Sequence, residues 1–160
     1  MNEWSSFFST MAEAAATLTG LIFVGASINL AKILSIPVLP DRALESLILL
    51  LNILIVSTHA LIPHQTAFSF GSRLIGLSCL LWFFMIYLDV RIWHKSEKQY
   101  RRHSLQNMVF SQLAVVPFML SGLMMLSNGY SAVYWLVPGI IISFIKAVVD
   151  AWVLLVEIHR

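Results

Sequence analysis

The segment at residues 43–63 reads ALESLILLLNILIVSTHALIP and carries one formally charged side chain, Glu45. A helix rises 1.5 Å per residue, so about twenty apolar residues cross the roughly 30 Å hydrocarbon core of a bilayer. Four further runs of similar length, at 10–31, 73–93, 106–127 and 133–157, take up most of the remaining chain. The sequence therefore predicts an all-α integral membrane protein, a single-domain bundle of five transmembrane helices over residues 1–160.

The composition agrees with these runs, because 59% of the residues are hydrophobic and only 11% are charged. Soluble globular domains carry about 25% charged residues. The polar breaks between the runs are too short for a separate soluble domain. The chain has one cysteine, Cys79, which excludes an intrachain disulfide. The N-terminal segment MNEWSSFFSTM has no Lys or Arg, so we expect the first run to remain in the mature protein.

The distribution of Lys and Arg predicts an orientation, because cytoplasmic connections are enriched in both. Half of the ten cationic residues lie from the end of the third run to the start of the fourth: Arg91, Lys95, Lys98, Arg101 and Arg102. We expect this segment to be cytoplasmic. The alternation of the spans then places Lys32, Arg42 and Arg160 on the same side and Arg73 on the other side. The prediction is an N-out, C-in protein.

The same basic segment has two interpretations. Its five cations follow the positive-inside bias without any ligand, or they bind anionic lipid head groups at about 1 kcal/mol for each Lys or Arg. No nucleic-acid partner is expected, since one short loop offers a small footprint and no base-reading element.

The first run is rich in small and hydroxylated residues, in the stretch AEAAATLTGLIFVGASINL. Helical spacing aligns Ser6 and Ser9 with five further residues on one narrow stripe. These five are the predicted pore-lining residues of an oligomeric cation channel: Glu13, Thr17, Gly20, Val24 and Ser27. In this hypothesis Glu13 contributes to a ring of carboxylates at the mouth of the pore.

Packing alone also accounts for this composition. Ala12, Ala16 and Gly20 form a small-xxx-small row, which allows another helix backbone to approach closely. In that interpretation Glu13 reaches the membrane interface and does not line a pore. Either interpretation predicts a homo-oligomer or another helix against the first run.

The fifth run carries two opposite charges, Lys146 and Asp150, four residues apart. A lone charge at the centre of a bilayer costs at least about 2.5 to 3.5 kcal/mol, so we expect the two to form an intrahelical ion pair. Asn52 lies near the middle of the second run, so in antiparallel spans we expect it at the same depth in the membrane as Lys146. The sequence therefore predicts an intramembrane polar cluster of Asn52, Lys146 and Asp150, either an ion pair that locks the bundle or a gate or proton-linked site.

The spacing of the histidines gives little indication of a metal or haem site. His59 shares a helical face with Asn52 and is a candidate pH-sensitive group, although a histidine bonded to a neighbouring hydroxyl is the alternative. His59 and His64 diverge on a helix, and the other histidines belong to the opposite side. We therefore expect no metal, no haem and no other cofactor.

No hydrolase, zinc-protease or phosphate-loop motif occurs in the sequence, so the chain is not expected to be an enzyme. The opening AEAAATLTGLIFVGASINL and the closing AWVLLVEI resemble the ends of a group of small bacterial multi-spanning membrane proteins. Some members of that group are described as modulators of a membrane protease. The resemblance implies a multi-pass protein of the bacterial inner (plasma) membrane.

Two functional hypotheses follow. The first is a homo-oligomeric, cation-preferring channel lined by the first helix. The second is a non-conducting regulatory or scaffold subunit of a membrane complex such as a membrane protease.

Overall fold

The structure, a computed structural model, describes residues 4–95 and 101–158. These residues form six α-helices and no strand. The helices are α1 (Ser5–Ile28), α2 (Leu30–Ser35), α3 (Leu39–Ala60), α4 (Ala67–Lys95), α5 (Arg101–Asn128) and α6 (Leu136–Ile158). A 3-10 segment, Gly129–Trp135, joins α5 to α6. The predicted all-α architecture is therefore present in the described residues.

Four stretches are long and apolar enough to cross a membrane: Ser5–Ile28, Leu39–Ala60, Ala67–Lys95 and Ser104–Leu154. The last of them includes most of both α5 and α6. These lengths and compositions are those of a multi-pass membrane protein.

The helices extend beyond several of the apolar runs. α1 begins at Ser5 and α4 at Ala67, each before the start predicted from hydrophobicity, and the predicted start at 133 lies in the 3-10 segment. An apolar run marks the part of a helix that suits hydrocarbon, whereas the backbone hydrogen bonds of the helix continue into polar sequence. Hydrophobicity therefore locates these helices better than it locates their ends.

Local signals account for the helix boundaries. α3 begins with Pro40 in its first turn, where the missing N–H would have no helical partner, and with Asp41 near the positive end of the helix dipole. Thr66 caps α4, since its hydroxyl accepts a hydrogen bond from Ser69 N at 3.2 Å. At the end of α1, Asn29 donates from Nδ2 to Gly25 O at 3.1 Å.

The helices α3, α4, α5 and α6 pack as a four-helix bundle, and α1 lies outside it, mainly against α3. In α1 only Phe8 and Ala15 are fully buried, although neighbouring apolar side chains such as Leu18 and Ile22 also pack on the core. The interior of the bundle is filled by large side chains, including Leu50 and Phe118. The first helix is therefore a peripheral element with one attached face.

Aromatic and polar contacts hold the 3-10 segment at one end of the bundle. The rings of Trp4 and Tyr134 meet edge to face with centroids 4.9 Å apart, so the start of α1 is attached to this segment. Tyr130 donates its hydroxyl to Gln65 O in the α3–α4 connection. Ser121 in α5 donates to Ala132 O at 2.9 Å. Through these three contacts the 3-10 segment is attached to the start of α1, to the α3–α4 connection and to α5.

Two glycines bring α4 and α5 together. A Cβ added at Gly71 would lie 2.9 Å from Met125 Cβ and 3.1 Å from Gly122 O, and a Cβ at Gly122 would lie 2.8 Å from Ile75 Cγ1. In lipid, helices associate by close packing rather than by a hydrophobic driving force, so small residues at such contacts matter. The α4–α5 contact therefore depends on these missing side chains.

We predict that Gly71→Ala lowers stability by about 1 to 3 kcal/mol, because the new methyl group meets backbone and Cβ atoms that cannot move independently. The matched control is Gly76→Ala in the same helix, where an added Cβ meets no atom within 4 Å. Ala is about 1 kcal/mol better than Gly in a helix, so the control should be neutral or slightly stabilising. Thermal unfolding in detergent measures both, and equal Tm changes would contradict the close contact.

Candidate functional site

A group of polar side chains lies buried in the four-helix bundle and is called the ion cluster below. Each of the four helices contributes to it, and two pairs of its members, Asn107 with Ser111 on α5 and Lys146 with Asp150 on α6, lie at i, i+4 spacing on one face. Its residues are Glu45, Asp89, Asn107, Ser111, Gln112, Lys146 and Asp150. It lies in the half of the bundle where α3 and α5 begin and α4 ends.

The ammonium group of Lys146 is at the centre of this cluster, and the residue is only 3% exposed. Its Nζ lies 2.8 Å from Asn107 Oδ1 and 3.1 Å from Glu45 Oε1, and it also contacts Asp150 Oδ2. An ammonium group has three N–H donors, so these three acceptors satisfy all of them. Lys146 thereby connects α6 to α3 and α5.

Glu45 in α3 is the counter-charge that Lys146 finds on another helix. Its residue exposure is 0%. Glu45 Oε2 accepts a hydrogen bond from Asn107 Nδ2 at 3.0 Å, and Oε1 is in contact with Ser111 Oγ. Asn107 therefore accepts from the lysine and donates to the glutamate, which orients its amide and holds both charges in place.

Asp89 in α4 lies on the other side of Ser111, at 3.4 Å from Oγ to Oδ1. Its Oδ2 accepts from Gln112 Nε2 at 3.2 Å, and Gln112 Oε1 accepts from Trp82 Nε1 at 2.9 Å. Because an indole N–H can only donate, Trp82 determines which end of the Gln112 amide faces Asp89. This arrangement supplies Asp89 with neutral donors.

A second ion group lies nearer the end of the bundle. Asp41 is buried at the start of α3 and pairs with Arg91 at 3.3 Å and with Lys95 at 2.6 Å. Both cations are partly exposed, with side-chain exposures of 46% and 31%. Two cations of the basic segment therefore hold α4 against α3. Lys98 and the side chain of Arg101 lie outside the described residues, and Arg102 is exposed.

An open pocket of about 230 Å³ reaches the ion cluster from the surface between α5 and α6. Asn107, Lys146 and Asp150 line it together with Arg42 and with apolar side chains such as Phe110. This pocket therefore connects the buried charges with the surface of the protein.

The predicted stripe on α1 lies on the outer surface of the protein. Its five predicted pore-lining residues, Glu13, Thr17, Gly20, Val24 and Ser27, are all exposed. The hydroxyls bond within α1: Thr17 donates to Glu13 O and Ser27 to Phe23 O, each at 2.8 Å. Ser9 donates to Glu13 Oε1 at 3.2 Å. The structure brings these residues together on one surface, away from the ion cluster.

The structure differs from the predicted polar cluster at Asn52. Lys146 and Asp150 are in contact, but the partner of Lys146 on α3 is Glu45, two helical turns from Asn52. Asn52 is 6% exposed, and its Nδ2 makes no hydrogen bond within residues 4–95 and 101–158. The physical reason is that a lysine places its charge at the end of a long flexible stem, so the depth of its Cα does not locate the charge.

His59 also lies apart from the ion cluster. It is fourteen residues beyond Glu45 in α3, or about 21 Å along the helix axis. Its backbone carbonyl accepts a hydrogen bond from Gln65 Nε2 at 2.7 Å. His59 is therefore near the connection to α4 and shares no contact with Lys146.

Sequence reasoning missed five residues of the cluster: Glu45, Asp89, Asn107, Ser111 and Gln112. Asp89 makes its contacts with Ser111 and Gln112, whereas Arg91, two residues further on, pairs with Asp41. A usable signal was present, because Asn107 and Ser111 form a polar i, i+4 pair at the start of an otherwise apolar run. Which helix such a pair faces is a tertiary property.

Within residues 4–95 and 101–158, no three or more His, Cys, Asp and Glu side chains are grouped to hold a metal ion. No family model, no curated protein and no solved structure matches this chain. The functional argument therefore rests on the chain's own geometry.

We predict that Lys146→Met destabilises the protein by about 3 to 5 kcal/mol, because Glu45 and Asp150 would remain buried without their cation. Adding Glu45→Gln should recover part of this loss, since it removes one of the uncompensated charges. Lys95→Met is the matched control, because Arg91 remains beside Asp41. Unfolding in detergent checks these effects. A Lys146 effect no larger than that of Lys95 would contradict a central role for Lys146.

Proposed function

We propose that the chain is a five-span protein of the bacterial inner membrane, oriented N-out and C-in, whose copies assemble around α1 to form a cation-preferring pore. The observation that carries this proposal is the outward position of the polar stripe on α1. Helices α1, α3, α4, α5 and α6 are the five spans, with α5 and α6 dividing the long stretch Ser104–Leu154.

The orientation is supported by the cations at one end of the bundle. Lys32 follows α1, Arg42 is near the start of α3, and Arg91 and Lys95 are near the end of α4. Cytoplasmic ends of membrane helices are enriched in such residues. In this orientation the exposed cation Arg102 faces the anionic head groups of the cytoplasmic leaflet, as do the partly exposed Arg91 and Lys95.

A pore through one protomer is disfavoured by the packing of its interior. Leu49, Leu50, Ile53 and Phe118 are fully buried between α3 and its neighbours, and Lys146 is held by three acceptors. An aqueous path would have to replace these contacts. Copies arranged around a common axis provide a path without disturbing them.

The exposed face of α1 has the residues that such an axis requires. Glu13 places a carboxylate on a surface that a lone protomer would present to lipid, where ionised groups are costly. Ala16 and Gly20 are exposed on the same helix, and a Cβ at Gly20 meets no atom of the protomer within 4 Å. Copies could therefore approach closely here while the Glu13 side chains form a ring at the pore mouth.

We predict that the purified protein conducts cations in planar bilayers and that Glu13→Gln lowers the cation-to-anion permeability ratio several-fold, because the ring of negative charge is removed. Arg73→Gln is the control, since it removes a charge at the start of α4, outside α1. Reversal potentials in a salt gradient measure the ratio. Correctly assembled protein that remains silent would overturn the pore.

We predict that Gly20→Val dissociates the oligomer without destabilising the protomer, because the new side chain has space in one copy and none at a close helix contact. Gly76→Val is matched to it, since Gly76 also has open surroundings but lies on α4. Light scattering in detergent gives the mass of each assembly. Equal masses for the two variants would exclude a contact through Gly20.

The second candidate is a non-conducting regulatory or scaffold subunit, such as a subunit of a membrane-protease complex. It is favoured by the hydroxyls of Thr17 and Ser27, which already bond to the α1 backbone and so do not require water. The resemblance of the chain ends to modulators of a membrane protease is in keeping with it. Crosslinking in native membranes should then recover a stoichiometric partner, and recovery of only self-oligomers would reject this role.

A further inference from the structure

The hydroxyl of Ser111 has more acceptors around it than it can serve. Its Oγ contacts Glu45 Oε1, lies 3.4 Å from Asp89 Oδ1 and lies 3.0 Å from the carbonyl oxygen of Asn107. A serine hydroxyl donates one proton and can accept through its lone pairs. If both carboxylates were ionised, at least one carboxylate oxygen would face Ser111 without a proton between them. A proton on one of the two carboxyl groups removes this conflict.

The neighbours of the two carboxyl groups distinguish them. Glu45 has the ammonium of Lys146 at 3.1 Å and the Asn107 amide at 3.0 Å, so each of its two carboxyl oxygens already faces one of these donors. Asp89 has the neutral donor Gln112 at 3.2 Å. Among the described residues, the cations nearest to it in sequence, Arg91 and Lys95, pair with Asp41 instead. The proton therefore belongs on Asp89.

The charge balance of the ion cluster agrees with this assignment. Its three carboxyl groups, Glu45, Asp89 and Asp150, face one cation of the cluster, Lys146. A proton on Asp89 lowers the net charge of these four groups from −2 to −1. Uncompensated charge is costly where the surroundings are hydrocarbon.

We propose that Asp89 is a proton-binding site inside each protomer, with Ser111 as the bridge to Glu45. In the protonated state Asp89 Oδ1–H donates to Ser111 Oγ, and Ser111 donates to Glu45 Oε1. Transfer breaks the O–H bonds of Asp89 and Ser111 and forms new ones on Ser111 and Glu45. The negative charge then lies on Asp89 and the proton on Glu45.

This bridge has a connection to the surface. Glu45 shares Lys146 with Asp150, and Lys146 and Asp150 line the open pocket between α5 and α6. Contacts therefore run without a break from the pocket through Lys146, Glu45 and Ser111 to Asp89. The site lies in α3, α4, α5 and α6 and not in α1, so it does not depend on the proposed pore.

Infrared spectroscopy of the full-length protein reconstituted in lipid tests the site at neutral pH. The expected result is a carbonyl band of a protonated carboxylic acid that shifts when aspartate carries carbon-13 in its side-chain carboxyl group and does not shift with labelled glutamate. Asp89→Asn should abolish the band, whereas the control Asp41→Asn should leave it. No acid band, a band that follows the glutamate label, or a band that survives Asp89→Asn would overturn the proposal.

A second variant tests the bridge even if Asp89→Asn does not fold. Ser111→Ala removes only the hydroxyl, so the acid proton of Asp89 loses its acceptor and the aspartate-labelled band should move to higher frequency. An unmoved band would show that Ser111 does not accept from Asp89. Conductance plays no part in either readout, so a silent bilayer experiment leaves these outcomes intact.

Discussion

An ammonium group inside an apolar helical bundle needs counter-charges and acceptors within reach, because hydrocarbon offers it none. Lys146 finds them on three helices, through Glu45, Asn107 and Asp150. This requirement relates α6 to α3 and α5 in both rotation and depth, since a shift of one turn would separate the ammonium from its acceptors. Ser111 extends the same network to Asp89 in α4. The four helices of the bundle are thus linked through the contacts of one buried cation, Lys146.

The two polar regions of the protein, the ion cluster and the stripe on α1, differ in burial and in hydrogen bonding. The ion cluster is buried between four helices beside an open pocket, and the three N–H donors of Lys146 all have acceptors in the same chain. The stripe on α1 is exposed, and its hydroxyls bond along their own helix while Glu13 faces outward. A buried cluster beside a pocket suits proton binding and the positioning of helices. An exposed stripe suits contact with other copies or with another protein, so the two proposed roles are assigned to separate surfaces.

Local sequence patterns predicted those features that depend on one helix. Apolar runs located the helices because burial in hydrocarbon requires a minimum length, and the four-residue spacing of Lys146 and Asp150 placed them on one face. The same reasoning selected Asn52 by depth and missed Glu45, because the long lysine stem displaces the charge from its Cα. Arg91 pairs with the buried Asp41 of the neighbouring helix, a contact that spacing within α4 does not indicate.

By itself, the sequence determined the solvent, the helical class and the identity of the few polar side chains that must avoid lipid, because these depend on length and composition. Spacing within a helix also determined that Glu13 and Ser27 share a face. Only the tertiary structure decided that this face lies outside the bundle and that Ser111 stands between two carboxyl groups. Which faces meet depends on the packing of several helices at once, including the close contact at Gly71 and Gly122, and no single helix encodes that packing.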